Sequence, residues 1–178
     1  MILSKQTIVK LIKSGKIKIN PLQEGSIGAV AIDLHLDKTA LNPETRKETD
    51  LKNFHLTPDE FYLAATAEFV ELPNDIVARV VPRSSLARLG VLATFDADIL
   101  PPNYAGKPLL TLKNLSRKPV LLKPGLAVAQ IMFEEVDQTV EGYSSRYDHK
   151  KIEESKLCEE FTPTSFDSSK EVAKKRRA

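Results

Sequence analysis

The 178-residue chain has a single cysteine, Cys158, three histidines and no long apolar run. Each shortage removes a class of function. One thiol cannot form an intrachain disulfide, so no cystine framework supports the fold and a reducing compartment is expected. His35, His55 and His149 are scattered along the sequence. With Cys158 they give neither the H-x-E and P-C-x-x-C pattern of a zinc nucleobase deaminase nor a Cys–His nucleophile pair, so no zinc and no metal held by protein ligands is expected. A GxxxxGK[ST] phosphate loop is also missing. The segment MILSKQTIVKLIKSGK interrupts its apolar residues with lysines, which predicts no signal peptide or membrane span and a soluble, cytoplasmic protein.

Net charge is equally sparse, at +2, and it is unevenly placed. Residues 170–178 hold Lys170, Lys174, Lys175, Arg176 and Arg177 against Glu171, a local +4 that leaves −2 on the rest. The body of the chain is therefore not a basic nucleic-acid surface, and it lacks the interleaved aromatics such a surface uses. Nucleic acid is expected as a partner only through the KKRRA end, where a cationic run can neutralise phosphates without a fold. The alternative is a solvated terminus.

What is present fits one domain over residues 1–160 with a disordered basic tail over 161–178, since TPTSFDSSKEVAKKRRA has few large apolar side chains. Ser4 as N-cap, the shared face of Ile8, Leu11 and Ile12, and the stop at Gly15 predict a short amphipathic helix over residues 5–14. Beyond it come β-rich runs: AVAIDLHL, EFYLAATAEFVEL, IVARVV, KPLLTLKNL and PVLLKPGLAVAQIMFEEV. Pro, Gly, Asn and Asp separate them, predicting a mainly β antiparallel barrel or sandwich with the helix as an accessory.

Residues 83–90, RSSLARLG, gather Arg83, Ser84, Ser85 and Arg88. Guanidinium forks and hydroxyls reach anionic oxygens without deprotonation, so this set suits phosphate. A capped helical turn with Leu86 and Leu89 packed inward explains the same string.

The ordered set MILS, AIDLHL, ELPNDIVARVVPRSSLARLG, NYAG and KPGLAVAQIMFE resembles the dCTP deaminase branch of the dUTPase superfamily over roughly residues 1–150. The resemblance implies a homotrimer of distorted β-barrels of the β-clip type, with sites for a deoxypyrimidine nucleoside triphosphate, carried as its Mg2+ complex, between subunits. It makes Arg83 and Gln130 phosphate contacts, Ser84 and Arg88 catalytic residues that orient water and the reacting group, and Tyr104 the ring beneath the deoxyribose. Ala97 and Lys150 become further substrate contacts, Lys150 on an arm that closes over the triphosphate. Other readings stand beside these: Gln130 as a satisfied core amide, Tyr104 as a loop aromatic over the barrel end, and Asp33 as a strand-end acceptor of backbone hydrogen bonds.

Two positions break the pattern. Pro101 occupies the place of the family Asp that binds the sugar and, in the dUTPase branch, activates water; proline offers neither acceptor side chain nor backbone donor. Thr111 occupies the place of the Glu that shuttles protons, and losing general acid–base help lowers rates by about 10²–10⁴-fold. Asp98 lies three positions too early to substitute, Asp96 is earlier still, and Glu134 and Glu135 read as solvated. Glu154 falls where the closing arm should carry Gln. The expectation is a deoxypyrimidine-nucleotide protein with impaired catalysis. Its alternatives are an active dCTP deaminase using a non-standard acid, and a non-catalytic trimer acting as nucleotide sensor or partner-binding module.

Overall fold

In a computed structural model, residues 1–94 and 98–141 are described. The first element is helix α1 (Lys5–Lys13), within one residue of the predicted span. Ser4 has extended backbone at its N-terminus, and its hydroxyl meets Thr7 Oγ1 at 3.4 Å instead of capping a backbone N–H. The C-terminus closes with two reversed hydrogen bonds, Gly15 N to Ile12 O at 3.0 Å and Lys16 N to Leu11 O at 2.9 Å. They require the left-handed backbone of Gly15 at φ 75°. Ile17, just beyond this stop, is fully buried beside Ile8 in the core.

Thirteen strands and one further short helix follow: β1 (Lys18–Asn20), β2 (Ala31–Asn42), β3 (Lys47–Asp50), β4 (Phe54–Leu56), β5 (Phe61–Thr66), β6 (Phe69–Glu71), β7 (Ile76–Pro82), α2 (Ser84–Arg88), β8 (Val91–Leu92), β9 (Ile99–Leu100), β10 (Ala105–Gly106), β11 (Leu109–Asn114), β12 (Val120–Leu122) and β13 (Ala127–Glu135). The largest sheet runs β8-β11-β5-β2-β13-β7-β9, with β3 also on β2; β1-β6-β10 and β12-β4 form two smaller sheets. Every paired strand is antiparallel. The result is the mainly β, curled, distorted-barrel fold expected, with an accessory N-terminal helix.

β2 is the member that curls the sheet. Its first half, Ala31–His35, pairs with β13, while residues from Leu36 onward pair with β5 and β3. Irregularities at Ala127/Ala129 and at Leu36/Ala40 mark the change of partner; such bulges bend a strand and increase its twist. At the start of β2, Ile32, Leu34 and Leu36 point into the core and are fully buried, while Asp33, His35 and Asp37 take the other face, where His35 is buried as well.

Two predicted runs are each two elements. EFYLAATAEFVEL divides into β5 and β6, which belong to different sheets. PVLLKPGLAVAQIMFEEV divides into β12 and β13 around a turn in which Gly125 has φ 77°. The polar strand β3 has no apolar periodicity and was not among the predicted runs. Among the described residues, no helix is long and apolar enough to cross a membrane.

Candidate functional site

β7 ends at Pro82, whose ring cannot donate to the ladder, and the chain turns there into α2. Arg83 is the N-cap of α2, with its carbonyl accepting from the N–H groups of Leu86 and Ala87, both at 3.1 Å. The capped-turn reading and the donor-set reading therefore describe one object. Leu86 is buried, as that reading expected, but Leu89 is exposed rather than packed inward. Ser84, Ser85 and Arg88 project to the surface.

The Arg83 guanidinium does not stand alone. Its Nη1 donates to Asp33 Oδ2, and the other carboxylate oxygen, Oδ1, accepts from Gln130 Nε2 at 2.9 Å. Asp33 and Gln130 are direct cross-strand partners on β2 and β13, and Val81 of β7 faces Gln130 from the other side. Three strands thus bring the two phosphate-site candidates, Arg83 and Gln130, onto one carboxylate. Gln130 is half-buried and bonded to Asp33, a satisfied amide at the border of the core rather than within it. The only Asp33 side-chain bonds among the described residues run to side chains, and its backbone N–H donates to Ser26 O at 2.9 Å. The backbone-acceptor reading of Asp33 does not hold.

α2 is short, but its position links distant strands. Arg83 sits beside β13, and past Arg88 the chain enters β8 through Gly90, whose carbonyl accepts from Leu115 N at 2.7 Å. β8 then pairs with the end of β11 at Lys113 and Asn114.

Thr111 lies on β11 opposite Leu63 of β5. Its Oγ1 is buried and has no hydrogen-bond partner among the described residues. β5 and β2 separate this strand from β13, and the two positions meet β2 at different ends: Leu63, opposite Thr111, pairs with Leu41, whereas Gln130 pairs with Asp33. Within one chain, Thr111 and the Arg83–Gln130 pair are not brought together.

Pro101 and Tyr104 share the turn between β9 and β10. Tyr104 N donates to Pro101 O at 3.1 Å, and Asn103 takes φ 64° within that turn. Tyr104 packs against the core, and its ring lies over Gly106, where an added Cβ would meet Oη at 3.1 Å and Cζ at 3.3 Å. The turn therefore presents a proline and a core-packed aromatic, with no carboxylate at position 101. Ala97 and Lys150 lie outside the described residues, as do Asp96, Glu154 and the 161–178 tail.

The acids considered as substitutes have other partners. Arg79 on β7 reaches Glu134 Oε1 at 3.3 Å and Asp98 Oδ2 at 3.7 Å. Glu134 is paired rather than merely solvated, and Asp98 is held on the outer side of β7 instead of at β11. Among the described residues, no group of three or more His, Cys, Asp or Glu is placed to hold a metal.

Asp33 is the member of this cluster whose side-chain contacts sequence reasoning missed. Its signal was present as one carboxylate on an apolar strand, AIDLHL, matched by one amide on another, AVAQIMFE. Nothing in the spacing said that the two strands were neighbours.

Comparison with known proteins follows the same lines. A family model described as dCTP deaminase-like matches residues 2–136. A dUMP-forming dCTP deaminase of Dictyoglomus thermophilum is 36% identical over 162 residues, covering 79% of this chain and 84% of its own length. A dUMP-forming dCTP deaminase of Methanobrevibacter smithii is 34% identical over 185 residues, covering 92% and 93%. The crystal structure of 2′-deoxycytidine 5′-triphosphate deaminase from Agrobacterium tumefaciens superposes with a TM-score of 0.63 at 25% identity over 74% of this chain, which spans only 47% of that protein. EIAV dUTPase matches with a TM-score of 0.52 at 15% identity over 76% of this chain and 98% of its own, a likeness of fold.

Proposed function

The chain belongs to the dCTP deaminase-like family, and on that premise we propose that it is a homotrimeric deoxypyrimidine-nucleotide-binding protein whose hydrolytic deamination of dCTP is impaired. The observation that carries this reading is Thr111. At the position where the family resemblance calls for a proton-shuttling Glu, there is a buried hydroxyl with no hydrogen-bond partner among the described residues. A threonine hydroxyl can hold water but does not ionise near neutral pH, so general acid–base help of about 10²–10⁴-fold is missing.

Binding is a separate matter from turnover. Arg83 and Gln130 are already oriented on one face, and the exposed Ser84, Ser85 and Arg88 extend the same donor surface along α2. These groups suit the oxygens of a triphosphate, which would bring its Mg2+ with it. The placement of Thr111 and Gln130 toward opposite ends of β2 favours a site shared by two copies, since one chain does not supply both halves. Pro101 removes the acid that would activate water for the pyrophosphate-releasing step.

A second reading, an active dCTP deaminase, is favoured by the relatives named dCTP deaminase at 34–36% identity over most of the chain. It requires an acid other than those at positions 101 and 111. Purified full-length protein incubated with Mg2+-dCTP, read for bound nucleotide, released ammonia and released pyrophosphate, separates the two. We expect binding, a trimer in sedimentation, and little ammonia. Turnover at ordinary rates of about 1–10³ s⁻¹ would defeat the impaired reading.

A further inference from the structure

We propose that Asp33 is a positioning residue for the polyphosphate: it aims the Arg83 guanidinium and sets which end of the Gln130 amide faces the ligand. The inference rests on the reading of Arg83 and Gln130 as phosphate contacts.

The geometry gives each oxygen of the carboxylate a separate task. Oδ2 takes Nη1 of Arg83, and Oδ1 takes Nε2 of Gln130 at 2.9 Å. A guanidinium has five N–H donors in a rigid fork, so fixing one of them directs the others without consuming them. Half-buried between β2 and α2, Arg83 is thereby held in one arrangement before an anion arrives.

Gln130 depends on Asp33 in a different way. A carboxamide presents two donors on nitrogen and an acceptor on oxygen, and only a neighbour of fixed character decides which side faces where. An ionised carboxylate accepts and does not donate, so it selects Nε2 and rejects Oε1. One N–H then remains to contact phosphate. If the amide turned over, its oxygen would face the carboxylate, a repulsive arrangement. The cross-strand pairing of Asp33 with Gln130 fixes the separation at which this selection works.

Asparagine at position 33 would preserve the shape and lose the instruction, because it donates as well as accepts. The test uses full-length protein with Mg2+-dCTP in calorimetry and deoxycytidine in ligand-observed NMR, on wild type, Asp33→Asn, Gln130→Met and the double variant, with melting temperatures recorded for all four. We expect Asp33→Asn to weaken dCTP by about tenfold or more while leaving deoxycytidine within about twofold, since charge-assisted bonds act on the phosphates alone. Gln130→Met should weaken dCTP in the wild-type background and add little on top of Asp33→Asn, the non-additivity of two groups acting as one.

An Asp33→Asn protein that binds dCTP as tightly as wild type, or more tightly, overturns the proposal, the second result making Asp33 a competitor for the donors. Equal losses for dCTP and deoxycytidine also overturn it, leaving a structural ion pair. Wild-type protein that binds neither dCTP nor inorganic triphosphate would bring down the phosphate-site reading itself, and the proposal with it.

Discussion

His35 and Glu68 close a buried clamp between β2 and the turn from β5 to β6. His35 Nδ1 lies 2.6 Å from Glu68 Oε1, and the backbone N–H of His35 donates to Oε2 at 2.9 Å. The turn answers with Ala67 N donating to His35 O at 2.7 Å and Thr66 Oγ1 donating to Glu68 O at 2.9 Å. Glu68 is 1% exposed, so neither oxygen has water as an alternative. Glu68→Ala removes the acceptor and strands a buried imidazole and a backbone N–H; the expected loss, read in urea denaturation, is about 1–3 kcal/mol for each group left unsatisfied. Glu68→Gln keeps one acceptor and should fall between that variant and wild type. A Glu68→Ala protein within about 1 kcal/mol of wild type would show the clamp to be dispensable.

Asn114 gives a second buried test, because its amide is used at both ends. Nδ2 donates to Leu56 O at 2.8 Å and to Lys118 O at 2.9 Å, while Oδ1 accepts from Ser116 N at 2.8 Å. It joins β11 to β4 and to the loop before β12. Asn114→Asp replaces the two donors with an oxygen that faces two carbonyls. The penalty of an unsatisfied buried group, about 1–3 kcal/mol, is the lower bound expected, and thermal melting should show it. An unchanged melting temperature would contradict the hydrogen-bond account.

Gly90 is constrained by its backbone and by its neighbour. At φ 78° it occupies the left-handed region, and a Cβ would stand 2.9 Å from Ser116 Cβ. Gly90→Ala should therefore lose at least about 1–2 kcal/mol. Adding Ser116→Gly relieves the side-chain contact but leaves the φ strain, so only part of the loss should return. Full recovery would mean that φ contributes nothing.

Thr111→Val tests the unpartnered hydroxyl. The swap retains shape and deletes a polar group that has no partner among the described residues, so stability should stay within about 1 kcal/mol or rise. A clear loss of stability would reveal a hydrogen bond to Oγ1 in the assembled protein. Loss of ammonia release with stability unchanged would instead support the active-enzyme reading, with the hydroxyl holding the reacting water.

Much of this architecture was legible in the sequence because it is local. Helix α1 follows from Ile8, Leu11, Ile12 and Gly15, and β11, β13 and all of β7 but Pro82 fall inside predicted apolar runs. What was hidden is the pairing of those runs. EFYLAATAEFVEL reads as one strand because Ala67 and Glu68 do not interrupt it with Gly or Pro; the break is made by Glu68 reaching back to His35, 33 residues earlier. The site was legible to the same extent. Arg83, Ser84 and Arg88 are contiguous enough to be read as a set, whereas Arg83 with Asp33 spans 50 residues and Gln130 with Asp33 spans 97. No periodicity reports contacts at such distances.

Strand β2 carries a consequence for how such a protein can change. Because side chains alternate along it, sliding the strand by one residue would turn Ile32, Leu34 and Leu36 away from the hydrophobic core and put Asp33, His35 and Asp37 in their place. The register that fills the hydrophobic interior is the same register that delivers Asp33 to Arg83 and His35 to Glu68. Core and site are one degree of freedom here. Insertions or deletions within the first half of β2 should be lethal to both at once, and ligand preference can be retuned only by exchanging side chains on a fixed ladder.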